Sequence, residues 1–375
     1  MKSAIYAFSG DPITVGHLDI IKRAAAVFDR LVVAIGVNPN KHYLFSQEER
    51  VEMARRSVLT LPNVEVKAFT GMLVDFAYEN EIDVIVKGVR SAADFAYELN
   101  LHNLGESQNL GIDTFVLFAK SSLAHVSSSA VKEIQLEQGL IQDYVGPYVK
   151  QCVEAKLSGQ YIIGLTGEIG SGKSYVGEQL VALAKEVGLQ AHSIELDQLA
   201  WQIQSDLQEA KYASVRKQIA AVFGSGVLTE NGAIDRKALG EIVFGSQAAL
   251  EQLNAIMATP ILVRLRKELK NKQGLIILNA ALLVEAQMSQ LTNYNMILLQ
   301  VDGQVQQERL LARGLTAEQI QRRLASQYDF TRKKEILEQA ITDSKQGQLW
   351  IFDNTKATKV EIKKLLEQIR AYFKM

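Results

Sequence analysis

Tyr161-Ile162-Ile163-Gly164-Leu165-Thr166-Gly167-Glu168-Ile169-Gly170-Ser171-Gly172-Lys173-Ser174 lies near the middle of the chain. An apolar, β-prone run leads into a glycine-rich turn that matches the phosphate-binding loop pattern at every fixed position. In such a loop the backbone N–H groups turn toward a polyphosphate, and the next helix directs its positive end at the anion. An ordinary strand-to-helix turn does not require the pair Lys173-Ser174 after its glycines. The stretch therefore predicts a parallel α/β sheet with a nucleotide phosphate site.

The loop also assigns roles to its own residues. Lys173 is expected to act catalytically by holding the β- and γ-phosphate oxygens, and the Ser174 hydroxyl to hold Mg²⁺. ATP is thus the expected co-substrate and Mg²⁺ the expected cofactor. The predicted ATP-binding positions of the loop are Gly167, Gly170, Ser171, Gly172 and Ser174.

Length and charge limit the class of protein. The chain has 375 residues, of which 47% are hydrophobic, and this is enough for two or three domains. Its formal net charge is −1, so no overall positive field attracts nucleic acid or an anionic membrane. The basic cluster Arg332-Lys333-Lys334 is interpreted as a solvated helix face. We expect small-molecule substrates and neither nucleic acid nor membrane as partners; homo-oligomerisation stays open.

Cysteine usage and hydropathy indicate the compartment. Cys152 is the one cysteine of the sequence, which excludes an internal disulfide and is typical of a reducing compartment. The first residues form a short apolar run without the long core of a signal peptide. No stretch approaches about 18 uninterrupted apolar residues. The sequence predicts a cytoplasmic protein.

Short β-rich runs alternate with helical patterns along the whole chain. They span residues 4–8, 31–37, 64–69, 84–87 and 114–118, then 161–166, 191–194, 275–278, 296–301 and 349–352. Such alternation predicts parallel sheets with crossover helices. Ser46 with Glu49, and Thr316 with Gln319, are capping boxes that mark two helix starts. We predict an α/β protein of two parallel-sheet domains, residues 1–157 and 160–375, joined near 156–159.

In the first half, the candidate chemistry begins just after the first strand. Ser9 precedes a turn, and Thr14-x-Gly16-His17 lies at a predicted helix start. A histidine there can donate a hydrogen bond to a phosphoryl oxygen as negative charge develops. A lone histidine near a turn is more often a cap or a core residue, so its neighbours matter. Carboxyl ends of parallel strands meet at one edge, and further candidates follow the other strands: Lys41, Lys87, Arg90, Ser127, Ser128 and Ser129.

These motifs resemble those of phosphopantetheine adenylyltransferase, a nucleotidyltransferase with a Rossmann-like fold, over residues 1–157. Two positions differ, since Phe8-Ser9-Gly10 stands where the family usually has Gly-Thr-Phe, and Lys87 replaces a common Arg. A hydroxyl and a cation are nevertheless kept. The residues that carry the resemblance are Asp11-Pro12-Ile13-Thr14, Gly16-His17, Lys41, Phe45, Glu48-Glu49-Arg50, Val64-Glu65-Val66, Lys87-Gly88-Val89-Arg90, Asp94-Phe95, Tyr97-Glu98, Val126-Ser127-Ser128-Ser129 and Val131-Lys132-Glu133.

The resemblance implies adenylyl transfer from ATP to 4′-phosphopantetheine. His17 would stabilise the transition state at the α-phosphate, while Lys41 and Lys87 would hold the acceptor phosphate. The acceptor phosphate is already anionic, so no general base is required. The other implied contacts are Ser9 with either substrate, Gly16, Arg90, Glu98, Ser127, Ser128 and Ser129 with ATP, and Met72 and Leu73 with the pantetheine arm.

The second half, residues 160–375, resembles dephospho-CoA kinase. This resemblance is less close than that of the first half to its family. Beyond the phosphate-binding loop, the resemblance rests on Glu195-Leu196-Asp197, Ile234-Asp235-Arg236-Lys237-Ala238-Leu239, Ile242-Val243-Phe244, Leu253-Asn254, Leu282-Leu283-Val284-Glu285, the segment from Arg309 to Arg313, Arg323-Leu324-Ala325-Ser326-Gln327 and Ile351-Phe352-Asp353-Asn354.

This second resemblance implies phosphorylation of the ribose 3′-hydroxyl of dephospho-CoA. A neutral hydroxyl needs a base, and Asp197 matches the catalytic base of the family. Arg313 lies where such kinases carry a mobile lid and would reach the transferred phosphoryl group. Arg236 is the candidate for binding the acceptor.

The kinase-like half departs from the family pattern at several positions. Glu168 replaces a Gly of the loop, and a carboxylate there repels a polyphosphate unless it faces solvent or Mg²⁺. Residues 341–348 also look inserted. The remaining departures are Glu195 for Asp, Thr259 for the His before Pro260, Ala281 for Pro, and Gly314 for Asp.

Three functional hypotheses follow. The first is a fused enzyme that performs both reactions of coenzyme A synthesis. The second is an active adenylyltransferase whose kinase-like half is catalytically impaired and binds nucleotide for regulation or assembly. The third is a kinase half that acts on another nucleoside-like acceptor. Because Lys173, Ser174 and Asp197 are all present, the first is favoured.

Overall fold

The computed structural model describes residues 2–38, 41–205 and 207–375. The chain divides into two compact units, Met1–Leu157 and Ser158–Met375. Each unit contains one five-stranded sheet, and all the paired strands run parallel. The predicted α/β class with two parallel sheets is confirmed.

The N-terminal sheet has the strand order β3-β2-β1-β4-β5. The order reverses beside β1, and ligands of open parallel sheets bind where it reverses, at the carboxyl ends of the strands. The first five predicted strands are all present, and each observed end lies within two residues of the prediction. The strands are β1 (Ser3–Phe8), β2 (Arg30–Ile35), β3 (Val64–Ala68), β4 (Val84–Val89) and β5 (Asp113–Phe118).

Both faces of this sheet are buried at its central strands, β1 and β2. Leu31, Val33 and Ile35 of β2 belong to the larger core, and the alternate residues Val32 and Ala34 belong to a second core on the opposite face. Successive side chains of a strand point to opposite faces, so a strand covered on both sides is apolar throughout. The covering helices leave the carboxyl edge of the sheet accessible to ligands.

Six helices connect or flank these strands. The predicted capping box is confirmed, because the Ser46 hydroxyl accepts from the Glu49 N–H and the Glu49 carboxylate accepts from the Ser46 N–H. A single π-helical turn, Glu154–Ser158, follows the last helix. The helices are α1 (Val15–Ala25), α2 (Gln47–Ser57), α3 (Leu73–Glu79), α4 (Ala92–Glu106), α5 (Ser128–Leu136) and α6 (Pro147–Val153).

The C-terminal sheet has the order β10-β9-β6-β8-β7, which places β6 at its centre. The glycine-rich loop leaves β6 and leads into α7, as the sequence predicts. The five strands predicted for this half are also present: β6 (Gln160–Gly167), β7 (Ala191–Glu195), β8 (Gly274–Asn279), β9 (Asn295–Gln300) and β10 (Gln348–Asp353).

A layer of four helices lies between β7 and β8 in the sequence and has a hydrophobic core of its own. The second predicted capping box is present at the start of α13, where Thr316 pairs with Gln319. None of the helices in the described residues is long and apolar enough to cross a membrane. The helices of this unit are α7 (Lys173–Glu186), α8 (Leu196–Gln204), α9 (Ala210–Phe223), α10 (Arg236–Val243), α11 (Gln247–Leu269), α12 (Gly303–Ala312), α13 (Ala317–Ala325), α14 (Phe330–Ser344) and α15 (Lys359–Phe373).

Candidate active sites

A cavity of about 650 Å³ lies at the carboxyl edge of the N-terminal sheet, where β1 and β4 end. Met72, predicted to contact substrate, does not line it; this residue is 46% exposed and precedes α3. The other residues predicted for this site all line the cavity: Ser9, Gly16, His17, Lys41, Leu73, Lys87, Arg90, Glu98, Ser127, Ser128 and Ser129.

His17 is fixed by the first turn of α1. The backbone N–H of Thr14 donates to His17 Nδ1 at 3.1 Å, and the Thr14 hydroxyl lies 2.8 Å from the same nitrogen. Because Nδ1 accepts a backbone N–H, the neutral ring carries its proton on Nε2. Burial lowers the pKa of His17 to about 4, and the charges of Arg90 and Lys41 act in the same direction. His17 is therefore a neutral N–H donor at pH 7.

The cations at the end of β4 have acidic partners. The Lys87 ammonium lies 2.6 Å from Glu98 Oε2, and Arg90 Nε lies 3.2 Å from Asp94 Oδ2. The sequence suggested separate contacts for Lys87 and Glu98, with the acceptor phosphate and with ATP. The structure pairs them directly, so a substrate phosphate that binds Lys87 competes with the Glu98 carboxylate.

The serine-rich turn, Ser127 to Ser129, also lines the cavity. The Ser127 side chain accepts from the Ala130 N–H at 3.1 Å, and so caps α5. The Ser128 hydroxyl donates to the carbonyl of Pro12 at 2.8 Å. A helix N-terminus offers free N–H groups to an anion. The first turn of α5 is therefore placed to contact a phosphate in the cavity.

Asp11 was named only as part of the resemblance, and the structure gives it a structural role. Its carboxylate accepts from the backbone N–H groups of Leu44 and Phe45 and lies 2.8 Å from the Lys132 ammonium. Burial alone would raise the pKa of Asp11, but Lys132 and the two N–H donors lower it. Asp11 thus ties the turn after β1 to α5 and to the segment before α2.

The phosphate-binding loop of the C-terminal unit is held by its own lysine and by side chains from distant elements. Lys173 Nζ donates to the carbonyls of Gly167 at 3.0 Å and Glu168 at 3.1 Å. Asn354 Nδ2 donates to the Ser171 carbonyl at 2.7 Å, and the Ile169 N–H donates to Gln327 Oε1 at 3.0 Å. Asn354 and Gln327 were part of the quoted resemblance without a role.

Glycine is required at two points of this loop. Gly170 and Gly172 have φ angles of +82° and +85°, in the left-handed region that other residues rarely adopt. A Cβ on Gly172 would also collide with the Asn354 side chain. The sequence pattern is thus explained by backbone conformation as well as by phosphate approach.

The four polar residues predicted for the kinase-like site lie close enough to influence one another. Burial, together with the charges of Lys333 and Arg313, lowers the pKa of Lys173 to about 8, and the Asp197 charge opposes the change. The Asp197 side chain keeps exposed surface, yet the surrounding protein atoms desolvate the carboxylate and raise its pKa. Lys173 and Arg236 oppose that rise, as does the N–H of Ala281, which donates to the carboxylate.

Glu168 is close enough to Lys173 and Lys333 for their charges to affect its pKa. Burial raises the pKa of Glu168 and the nearby Asp329 charge adds to the rise, while Lys333 and Lys173 lower it. The two ammonium groups offset part of the repulsion expected between this carboxylate and a polyphosphate. Glu195, another departure, accepts a hydrogen bond of 3.4 Å from Asn279 Nδ2.

The prediction of a solvated face was wrong for Lys333. Its side chain is fully buried, and its ammonium donates to both oxygens of Glu285, at 2.6 and 2.7 Å, and to the Ala281 carbonyl at 2.8 Å. Its neighbour Arg332 is exposed and pairs with Glu335. Three consecutive helical residues point in directions about 100° apart, so one of them can face the core. Charge alone does not reveal which one.

Comparison with known proteins gives a separate match for each half. A sequence model of the dephospho-CoA kinase family matches residues 161–348, and one described as cytidylyltransferase-like matches residues 9–134. Phosphopantetheine adenylyltransferase of Clostridium tetani is 46% identical over 145 residues, which are 39% of this chain and 91% of that protein. The enzyme of the same name from Clostridium botulinum strain 657 is 42% identical over 158 residues, 42% of this chain and 96% of that protein.

Among solved structures, TT1252 from Thermus thermophilus has 25% identity and a TM-score of 0.44, over 57% of this chain and 97% of that one. The family match and the curated relatives cover different halves of the sequence. The chain therefore belongs to two enzyme families, that of phosphopantetheine adenylyltransferase through its N-terminal half and that of dephospho-CoA kinase through its C-terminal half.

Proposed function

We propose that the chain catalyses two successive reactions of coenzyme A synthesis. In the first, AMP is transferred from ATP to 4′-phosphopantetheine, giving dephospho-CoA and pyrophosphate. In the second, ATP phosphorylates the 3′-hydroxyl of dephospho-CoA, giving CoA and ADP. The observation that carries the proposal is the presence of both families in one chain, where the product of the first is the substrate of the second.

For the first reaction, a phosphate oxygen of the acceptor attacks the α-phosphorus of ATP, and the bond to the β-phosphate oxygen breaks. His17 Nε2–H donates to an α-phosphate oxygen as its charge grows. Lys41 and Lys87 hold the acceptor phosphate. The residues proposed to bind ATP are Ser9, Gly16, Arg90, Glu98, Ser127, Ser128 and Ser129, and Leu73 with Met72 is proposed to border the pantetheine arm.

For the second reaction, Asp197 accepts the proton of the 3′-hydroxyl while that oxygen attacks the γ-phosphorus, and the bond from this phosphorus to the β-phosphate oxygen breaks to release ADP. The raised pKa of Asp197 suits a base, since proton transfer is most effective near the working pH. Lys173 neutralises the β- and γ-phosphates, with backbone N–H groups of the loop from Gly167 to Ser174. Arg313 stabilises the transferred phosphoryl group, and Arg236 binds the acceptor.

Mg²⁺ fits the second site as a companion of ATP. The described residues contain no group of three or more His, Cys, Asp or Glu side chains able to hold a metal. The Ser174 side chain is exposed on the first turn of α7, directly after Lys173. Mg²⁺ commonly binds through substrate phosphates and a few protein oxygens. We propose that Ser174 supplies such an oxygen; the ion would neutralise phosphate charge.

Residues 1–157 and 160–375 are proposed as the two catalytic domains, with small-molecule substrates in both. A free cysteine, Cys152, suits the reducing cytoplasm. The impaired-kinase alternative gains no support, because Lys173 and Asp197 are both present and lie close enough for each charge to shift the pKa of the other group. No feature of the described residues favours a different nucleoside acceptor.

The purified chain tests the proposal. Supplied with phosphopantetheine, ATP and Mg²⁺, it should form dephospho-CoA first and CoA after a lag. Mass spectrometry measures both products over time. Supplied with dephospho-CoA alone as acceptor, it should form CoA without a lag. Accumulation of dephospho-CoA without CoA would contradict the kinase assignment. Formation of neither product from phosphopantetheine would contradict the adenylyltransferase assignment.

A further inference from the structure

Arg50 of α2 is a buried cation beside the N-terminal cavity. Its side chain is 1% exposed, and its Nη1 donates to the carbonyls of Ser9 and of Gly36, the latter at 2.8 Å. Ser9 and Gly36 directly follow β1 and β2, and both line the cavity. Arg50 thus lies immediately behind the wall of the cavity and does not line it.

The guanidinium of Arg50 also stacks on an aromatic ring that reaches the same wall. Its central carbon lies 4.1 Å from the centre of the Tyr43 ring. The Tyr43 hydroxyl accepts from the Asn38 N–H at 2.6 Å and lies 3.3 Å from Ser9 Oγ. The Lys41 N–H in turn donates to the Asn38 carbonyl at 3.0 Å. Arg50 therefore supports the backbone that presents Ser9 and Lys41.

No carboxylate neutralises this buried charge. The acidic groups whose charges reach Arg50 are Asp11 and Glu48. Asp11 is paired with Lys132 at 2.8 Å, and Glu48 accepts from the Ser46 hydroxyl at 2.7 Å. Within the described residues Arg50 forms no ion pair, and its Nε has no hydrogen-bond partner. Burial of a charge without a counterion is unfavourable unless another interaction compensates.

We propose that Arg50 is a positioning residue whose unpaired charge is compensated by the phosphate of the acceptor substrate. The inference rests on the proposed adenylyl transfer and deepens it. A phosphomonoester dianion beside Ser9 and Lys41 would lie across one backbone layer from the guanidinium. In this low-dielectric setting the attraction acts over more than contact distance. Arg50 would then raise affinity for the phosphate end of the acceptor and leave its apolar arm unaffected.

Two substitutions separate charge from hydrogen bonding. Arg50→Lys keeps the charge, whereas Arg50→Gln keeps a hydrogen-bond donor and removes the charge. Calorimetry should show that Arg50→Gln weakens binding of phosphopantetheine about tenfold, while pantetheine, which lacks the phosphate, changes less than about twofold. Arg50→Lys should stay within about threefold of the wild type for both ligands. Arg55→Gln, an exposed position of the same helix, is the matched control.

Steady-state kinetics provide a second test of the proposal. Arg50→Gln should raise the KM for phosphopantetheine about tenfold and leave the KM for ATP within about twofold. Equal losses for phosphopantetheine and pantetheine, or equal effects of Lys and Gln, would show a structural role only and overturn the proposal. If Arg50→Gln fails to fold, Arg50→Lys decides alone, since a tenfold rise in both KM values also overturns it. A wild-type chain that binds phosphopantetheine but does not adenylylate it would contradict the proposed function and leave this binding test valid.

Discussion

His17 shows how a local backbone contact can define a chemical role. The Thr14 N–H occupies Nδ1, which leaves Nε2–H as the donor toward the cavity. Burial and two nearby cations disfavour the imidazolium, so in the proposed reaction the ring would contact the α-phosphate as a neutral donor. A neutral donor needs no proton release after the reaction. This suits a transfer in which the nucleophile and the leaving group are both phosphate oxygens.

Replacement of His17 by Ala should lower the adenylyl-transfer kcat by about 10² to 10³, the usual cost of losing one transition-state donor. The KM values for both substrates should change much less, because the contact strengthens only in the transition state. Pyrophosphate release in steady state measures this. His102→Ala is the matched control, since His102 binds Thr114 Oγ1 at 2.9 Å and does not line the cavity. A wild-type kcat in His17→Ala would remove His17 from the mechanism.

The same substitution identifies the His17 signal for an NMR titration of the free protein. The signal should titrate with a midpoint near pH 4, below the ordinary value of 6.5. Because the folded-state pKa is the lower one, the unfolded chain binds more protons between these values. Stability should therefore fall as the pH falls through that window. A midpoint at or above 6.5 would contradict the neutral-donor assignment.

Lys333 is also a buried cation, but unlike Arg50 it has an acidic partner. Its ammonium is satisfied by Glu285 and the Ala281 carbonyl. Lys333→Met would leave the Glu285 carboxylate without its cation and should cost about 3–5 kcal/mol of unfolding free energy. Urea unfolding of the C-terminal unit measures the loss. Lys334→Met, next in sequence with a 3.7 Å pair to Glu338, should change it by less than about 0.5 kcal/mol. Equal effects of the two would contradict the buried-pair argument.

At the scale of elements, the strands were predictable and some side-chain partners were not. The central strands, such as β2 and β9, are buried on both faces and therefore apolar, and this leaves a continuous signal in the sequence. The edge strands β3 and β5 are partly exposed and were recognised by their β-prone residues. Capping boxes were equally predictable, since they depend on residues three apart. The ends of elements were less accurate; β4 continues to Val89, two residues past the prediction.

Contacts between distant elements left no local signal. The Lys87–Glu98 pair joins a strand end to α4, and Asn354 reaches the phosphate-binding loop from a position 183 residues from Ser171. The Lys333 side chain points inward because of the way α14 packs. A run of three adjacent basic residues does not indicate that packing. Candidates such as Ser9 and Lys87 could be proposed from the sequence because they lie where strands end, and parallel strands end at one edge. Glu98, Arg236 and Arg313 lie on or beside helices and were proposed only through the resemblances. The mutual pairing of the site residues required the structure.

At the scale of the whole molecule, each unit has the means to fold by itself. Every strand pairing of the N-terminal sheet and both of its cores lie within residues 1–157. A fragment that ends at Leu157 should therefore keep adenylyl-transfer kcat and KM within about threefold of the full chain. Cooperative unfolding of the fragment should accompany that activity. An unfolded or inactive fragment, beside an active full chain, would contradict the proposed domain division.

Two substitutions in the C-terminal unit of the full chain should separate binding from chemistry. In the proposed mechanism Lys173 interacts with the phosphates in the ground state and the transition state, whereas the base Asp197 acts in the chemical step. Lys173→Ala should thus weaken ATP binding at this site and stop CoA formation. Asp197→Asn should retain ATP affinity and lower the kinase kcat by about 10² to 10⁴. Lys185→Ala, exposed near the end of α7, and Asp343→Asn, exposed on α14, are the matched controls.

Both active-site variants should accumulate dephospho-CoA at the wild-type rate, because His17 and its cavity belong to the other unit. Mass-spectrometric product analysis with phosphopantetheine, ATP and Mg²⁺ reads both reactions from one sample. The internal dephospho-CoA signal shows that the N-terminal half of each variant is folded, and retained ATP affinity in Asp197→Asn shows the same for the C-terminal half. CoA made at the normal rate by Asp197→Asn would rule out this base. A loss of dephospho-CoA in Lys173→Ala would show instead that the two reactions depend on each other.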